Sequence, residues 1–253
     1  MGRYIERIEM LEYEGRNIFG IAYLPEIDGT CPIVIFSHGY NSENEAFKGY
    51  GEYLASHGIA AYCYDFCGGS ANSKSNLKTT DMTIFTEKVD LEAVIKSVKQ
   101  WDIVDKNNIF LFGASQGGLV TALTAEEHCE DIRGIILIYP AFCIADDWTN
   151  KYEDESVIPD EIDFWGMKLS SAYIKSVYKF DTMAHIGKFD KNVLIMHGDK
   201  DEVVSQEYSL EAVKHYKNAK IEIFHGEGHG FTQEGDDKAV KIALEFIKDN
   251  RIN

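Results

Sequence analysis

The chain is short of positive charge: 25 Lys plus Arg stand against 42 Asp plus Glu over 253 residues, a formal net charge of −17. Phosphate backbones and anionic membrane surfaces are held by Lys and Arg, and no basic grouping exceeds a pair such as Lys248 and Arg251. Binding to nucleic acid or to a membrane surface is therefore excluded as a main role. Missing too is any run near the roughly 18 apolar residues that span a bilayer. The stretch from Met1 to Thr30 carries charges every few positions and lacks the basic start and apolar centre of a secretory signal. The five cysteines, at positions 31, 63, 67, 129 and 143, are odd in number and show neither C-x-x-C nor metal-finger spacing, which argues against a disulfide framework or a zinc site. The expectation is a cytoplasmic protein with reduced thiols, no metal and no cofactor, in which Cys63 and Cys67 are small buried hydrophobes. There is no internal repeat and no low-complexity segment.

What is present is ordinary globular usage, 45% hydrophobic and 26% charged, in a length that one α/β domain can fill. Short runs rich in Val, Ile, Phe and Tyr read as strands buried on both faces: Ile33–Phe36, Ile59–Tyr64, Ile109–Phe112, Ile132–Ile138, Val193–Met196 and Lys220–Phe224. Helical periodicity fills the gaps at Glu45–Ser56, Thr86–Trp101, Leu119–His128, Gln206–Tyr216 and Asp237–Lys248. In the second of these, Val89, Ala93, Val94, Val98 and Trp101 form an apolar stripe, with Glu87, Lys88, Glu92 and Lys96 on the opposite, polar side. The alternation predicts a mostly parallel twisted sheet with helices on both faces. Tyr4–Tyr13 and Asn17–Leu24, joined at Glu14-Gly15, read as an antiparallel hairpin at its edge. From about 139 to 191 the alternation stops, and an acidic, aromatic stretch (Asp146, Asp147, Trp148, Tyr152, Phe164, Trp165, Tyr173) reads as a cap inserted into a single domain covering 1–253.

Chemistry-bearing residues follow four of these strands. Ile109–Phe112 runs into Gly113-Ala114-Ser115-Gln116-Gly117 and then a helix, the G-x-S-x-G pattern in its strand–turn–helix context. Composition alone yields that pattern on the order of 0.1 times in such a chain, so its placement carries most of the weight. A serine hydroxyl needs a histidine base and an acid that orients it, in the order Ser, Asp, His for this architecture. Asp199 and Asp201 both follow the strand Val193–Met196, and His225 and His229 both follow Lys220–Phe224. Asp201 is favoured, leaving Asp199 as a turn-former bonding its own backbone. His229 is favoured because the glycines around it make a loop that can reach a distant serine. The His225/His229 spacing lacks the third ligand that a metal site requires. After Ile33–Phe36, Ser37-His38-Gly39-Tyr40 offers Tyr40 N–H which, with Gln116 N–H, supplies the two donors that an oxyanion needs.

Taken together, His38-Gly39-Tyr40, Gly113-Ala114-Ser115-Gln116-Gly117-Gly118, Gly198-Asp199-Lys200-Asp201 and Gly228-His229 resemble an α/β-hydrolase of the serine esterase type along nearly the whole chain. The size, the position of the insertion and the 28-residue step from Asp201 to His229 resemble, more narrowly, the bacterial cinnamoyl and feruloyl esterases. The resemblance implies an acid at the last residue of G-x-x-D, which is Asp201. It also implies a cap over Ser115 whose polar groups hold the hydroxyls of a hydroxycinnamate, where Asp147 and Tyr173 fall. One segment departs from the related hydrolases, which often carry G-H-G-x-S after the strand equivalent to Ile59–Tyr64, where this chain reads Tyr64-Asp65-Phe66-Cys67-Gly68-Gly69-Ser70. The expected partner is thus a small-molecule ester, with a homodimer left open. The competing expectations are a monoacylglycerol-type lipase or small serine peptidase of the same fold, and a non-catalytic homologue that binds a ligand through the cap.

Overall fold

A computed structural model describes residues 2–252. The chain builds an eight-stranded sheet from β1 (Tyr4–Tyr13), β2 (Arg16–Pro25), β3 (Cys31–Ser37), β4 (Ala60–Tyr64), β5 (Val104–Ala114), β6 (Gly134–Ile138), β9 (Asn192–Gly198) and β10 (Ala219–Phe224). The order across the sheet is β1-β2-β4-β3-β5-β6-β9-β10. Only the pairings β1–β2 and β2–β4 are antiparallel; the remaining five are parallel. This is the α/β-hydrolase fold. β3 and β5 pair side by side although the chain travels outward to β4 between them. That reversal of strand order opens a crevice beyond their C-terminal ends, where open α/β sheets place ligands.

The five central parallel strands are buried on both faces because helices cover both. On one face, α1 (Lys48–Ser56) and α7 (Gln233–Asn250) pack Leu54, Ala55, Ala243 and Ile247 against Val34, Phe36, Phe110 and Phe112. On the other, α2 (Ile84–Val98), α3 (Gln116–Glu127) and α6 (Gln206–His215) bury Leu91, Val94, Val120, Leu123 and Ala212 against Ile33, Ile35, Leu111 and Ile195. All five cysteines are free, four of them buried, and Cys63 and Cys67 are fully so. Among the described residues no helix is long and apolar enough to cross a membrane.

The hairpin expected at the sheet edge is β1–β2, turned by Glu14 (φ 47°) and Gly15 (φ 81°), the two left-handed positions that a tight two-residue hairpin needs. Element ends differ more. β5 begins at Val104, five residues before the apolar run, and α7 begins at Gln233 behind its cap Thr232, whose hydroxyl accepts from Gly235 N–H. The larger correction concerns Glu87, expected on the polar side of its helix but only 1% exposed. The N-terminal half of α2 lies beneath chain inserted after β6, so both of its sides are covered here.

That insertion contains α4 (Ile144–Lys151), a separate antiparallel hairpin of β7 (Glu161–Phe164) and β8 (Met167–Ser170), and α5 (Ser171–Val177). The hairpin is too short for the strand signal to register in sequence. Its turn is Trp165-Gly166, both at positive φ. Where the segment returns to the sheet, the Glu126 carboxylate at the end of α3 accepts the backbone N–H groups of Gly187 (2.7 Å), Lys188 (2.7 Å) and Phe189 (3.0 Å). Glu126→Ala leaves these donors without their acceptor and should cost about 2 kcal/mol, a fall of roughly 4–8 °C in Tm for a chain of this size. Thermal denaturation measures the loss, and hydrogen exchange should localise it to residues 187–189.

Candidate active site

The crevice is shaped by backbone contact too close for side chains. β5 ends at Ala114, Ser115 takes φ 52° and ψ −121°, and α3 starts at Gln116. A positive φ at a non-glycine residue is strained and persists only where its surroundings enforce it. Here the Ser115 N–H donates to Ile138 O (3.0 Å), and its carbonyl accepts from Gly118 (2.9 Å) and Ala141 (2.9 Å). A Cβ on Gly113 would lie 2.3 Å from Gly117 O, and one on Gly117 would lie 2.2 Å from Ser37 O. Only glycine lets β3, β5 and α3 meet at this spacing.

Ser115 Oγ lies 2.9 Å from His229 Nε2, and His229 Nδ1 lies 2.8 Å from Asp201 Oδ2. The remaining capacity of Asp201 is filled by Val203 N–H (2.9 Å) and Val204 N–H (2.8 Å) on Oδ1 and by His197 Nε2, 3.2 Å from Oδ2. Burial pushes the Asp201 carboxyl up, but hydrogen bonds from His197, His229 and Val204 N–H outweigh it and hold the group far below the usual carboxylate range. His197 is fully buried, with Nδ1 2.7 Å from Ser209 Oγ and Nε2 3.0 Å from Val204 O. With acceptors around Nε2, that nitrogen carries the proton and Ser209 donates to Nδ1. Tyr139, at φ 36°, packs its ring 4.7 Å from that of His229.

The rival residues form a pair of their own away from the serine. Asp199 accepts from Gly226 N–H (2.8 Å) and meets exposed His225 Nδ1 at 2.9 Å. Asp199 therefore braces the neighbouring strand-end loop, contrary to the expectation that it bonds its own turn; that local turn is closed by Asp201 through Val203 and Val204.

Beside Ser115, a Cβ on Gly39 would sit 3.2 Å from Ser115 Cβ, so the Gly39–Tyr40 peptide borders the hydroxyl. Phe66 N–H donates to His38 Nε2 (3.0 Å), which leaves the proton on Nδ1, and Nδ1–H donates to Gly39 O at 2.8 Å. Burial lowers the His38 pKa and keeps the ring neutral. Fixing the Gly39 carbonyl also fixes Tyr40 N–H, which points the opposite way across the same trans peptide. The segment that departs from related hydrolases thus supplies, through Phe66, the bond that holds His38.

Gln116 N–H is an orphan donor at the first position of α3. The Gln116 side chain is 2% exposed; its Nε2 donates to Glu87 Oε2 (2.8 Å) and its Oε1 accepts from Tyr173 OH (2.6 Å). Burial drives the Glu87 carboxyl well above its ordinary value, against the opposing pull of the Gln116 bond. Tyr173 thus stands at the site with its hydroxyl committed to Gln116, while Asp147 is exposed at the rim. Both line a cavity of about 310 Å³ that opens on Ser115 and is walled by Trp148, Phe164 and Trp165. Tyr40 ties that wall down, its hydroxyl donating to Phe164 O at 2.8 Å, as does Asn41 Nδ2 to Trp165 O at 3.2 Å. Lys151, unremarked in sequence, also lines the cavity, with Nζ 4.7 Å from the Trp148 ring centre. His197 and Glu87 were missed as well, since nothing in periodicity marks a buried polar side chain.

A family model described as serine aminopeptidase, S33, matches residues 29–178. No curated protein sequence matches the chain. Among solved structures, Est1E from Butyrivibrio proteoclasticus with ferulic acid bound is 28% identical, with a TM-score of 0.87 over 96% of this chain and 98% of that one. Acetyl xylan esterase from Paenibacillus sp. R4 (16% identity, TM-score 0.71, 98% and 90% covered) and dienelactone hydrolase from Anabaena variabilis (15%, 0.71, 98% and 99%) share the fold.

Replacing Glu87 tests the buried network. Glu87→Leu strands the Gln116 amide N–H and should cost about 1–3 kcal/mol, whereas Glu87→Gln keeps an acceptor and should cost less. Because burial raises the folded-state pKa, the folded chain holds a proton that the unfolded chain releases above about pH 4.3, so this residue's contribution falls as pH rises through that window. The stability of Glu87→Gln relative to wild type should therefore climb with pH from that point. Chemical denaturation across pH measures it.

Proposed function

The chain belongs to the serine aminopeptidase S33 family and is a hydrolase; from that premise we propose that it is a carboxylic ester hydrolase acting on hydroxycinnamate esters of the feruloyl type. The observation that carries this reading is the Ser115–His229–Asp201 relay, at 2.9 Å and 2.8 Å, opening into an aromatic-walled cavity. In the proposed mechanism Ser115 Oγ attacks the ester carbonyl carbon while its proton passes to His229 Nε2. Asp201 holds the imidazole in the tautomer that accepts at Nε2, and His197 keeps Asp201 ionised. The tetrahedral oxyanion takes hydrogen bonds from Tyr40 N–H and Gln116 N–H, donors that His38 and α3 hold in place before substrate arrives. Collapse expels the alcohol, which leaves with the proton from His229. Water then repeats the sequence on the acyl-enzyme, and the carboxylic acid departs.

Support for an aromatic acyl group comes from the flat walls of Trp148, Phe164 and Trp165, from a volume at the lower end for small-ligand pockets, and from the ferulic acid held by a structural relative 28% identical. Asp147 is the rim group for a phenolic hydroxyl, and Tyr173 contributes ring surface and holds Gln116. A second reading, release of an N-terminal amino acid, draws on the family description and on Asp147 and Glu202, either of which could pair with a substrate ammonium group at the cavity.

Initial rates on ethyl ferulate, on an aliphatic ester of similar size and on an aminoacyl anilide separate these readings. Preference for the ferulate is expected; preference for the anilide would move the assignment to the peptidase. Ser115→Ala should lower kcat by about 10⁵-fold or more, and Asp201→Asn by roughly 10³–10⁴-fold with little change in KM. Near-wild-type turnover by the Ser115 variant would refute the mechanism.

A further inference from the structure

We propose that the outer edge of β1 is a self-complementary interface through which two copies of the chain pair antiparallel about a twofold axis at Ile8, joining their sheets.

Backbone parity leads to that residue. Arg3 O accepts from Glu26 N–H (2.9 Å), which makes Arg3 and Glu26 a hydrogen-bonded pair in the β1–β2 register. Pairs alternate along an antiparallel ladder, so Ile5, Arg7, Glu9, Leu11 and Tyr13 also direct their N–H and C=O toward β2. Pro25, which has no N–H, lies opposite Tyr4 at a non-bonded position, in agreement. The groups of Tyr4, Glu6, Ile8, Met10 and Glu12 therefore point away from the sheet, where β1 has no neighbouring strand among the described residues. Just before this run, Gly2 N–H is already taken by Ser56 O at 2.7 Å. Ile8 is the centre of the run, so a second β1 related by a twofold axis there engages every outward group.

Side chains select the same axis. With Ile8 opposite Ile8, Arg7 faces Glu9 of the other copy and Glu9 faces Arg7, Ile5 faces Leu11, Glu6 faces Met10 and Tyr4 faces Glu12. No like charges stand opposite one another. Arg7 and Glu9 already form an ion pair within the strand, so the two copies complete an alternating square of charge. Shifting the axis to Glu6 sets Glu6 against itself, and shifting it to Met10 sets Glu6 against Glu14. Axes at Arg7 or Glu9 oppose like charges and also meet groups already spent on β2. Exposure fits an edge that is covered in the assembly: Ile8 is 72% exposed, Met10 50% and Ile5 49%. A long edge strand showing apolar side chains is a standing template for pairing unless something occupies it, and matching of one surface to itself is the rule in twofold dimers.

Sedimentation velocity of the full chain at physiological ionic strength, from about 1 to 100 µM, is the test. Wild type should dimerise. Ile8→Pro, which removes an outward N–H and none that serves β2, should stay monomeric over the whole range, and its melting temperature should lose the rise with concentration that dimerisation gives the wild type. Arg7→Glu and Glu9→Arg should each weaken the dimer by about 10-fold or more, because each sets like charges opposite one another twice. Mixing the Arg7→Glu protein with the Glu9→Arg protein should restore a dimer of one copy of each, since all facing pairs are again opposite in sign. A monomeric wild type would overturn the proposal. So would a dimer indifferent to all three substitutions, or failure of the mixed pair to associate.

Discussion

Three pieces of backbone meet at Ser115 with no room for a single extra carbon, and the rest of the site is built on that contact. Because a Cβ on Gly113 or Gly117 would fall within 2.3 Å of a carbonyl oxygen, β3, β5 and α3 can pack only as glycine allows. The same closeness enforces the positive φ at Ser115, brings the Gly39–Tyr40 peptide beside its hydroxyl and starts α3 at the next residue. A strained residue held by three converging elements does not need to be organised again when a ligand arrives.

Around this contact, the polar groups that hold the geometry are buried and neutral or buried and fully paired. Asp201 keeps its charge because three kinds of donor converge on it, His197 from beneath, His229 from the cavity and the backbone from its own turn. His38 and Glu87 do the opposite, staying neutral in dry surroundings, one steering the Gly39 carbonyl and the other the Gln116 amide. Unpaired charge at either place would cost several kcal/mol, so these residues serve as rigid hydrogen-bonding props.

The parts of this molecule that were legible in sequence are those written in period and spacing. Strand runs such as Ile33–Phe36 and the turn Gly113–Gly117 are short local patterns, and each reports a local requirement. Asp201 and His229, which the structure places in one relay with Ser115, could be ranked over Asp199 and His225 from the place of Asp201 in the turn, from a resemblance that sets the acid last in G-x-x-D, and from the glycines that flank His229. What could not be read depends on neighbours distant in sequence. Glu87 falls on the polar side of an amphipathic helix by every local criterion, and only the covering of α2 by inserted chain buries it. His197 looks like the last residue of a strand until Asp201 is seen against it. Tyr173 was singled out for its hydroxyl, whose partner Gln116 lies 57 residues away. The β7–β8 hairpin, at four residues a strand, is below the length at which alternation carries information.

The bonds from Tyr40 and Asn41 to the carbonyls of Phe164 and Trp165 bear on how such a protein can be recombined. The inserted segment looks interchangeable, since it leaves the sheet after β6 and returns before β9 without contributing a strand to it. Yet its hairpin is fastened to the loop that borders the serine, 124 residues earlier in the chain. A replacement segment of different shape would leave a phenol and an amide without acceptors in the loop beside Ser115. The heritable module is therefore discontinuous, the insertion together with Tyr40 and Asn41, and lineages exchanging one without the other would pass through an intermediate whose loop beside Ser115 has lost two of its anchors.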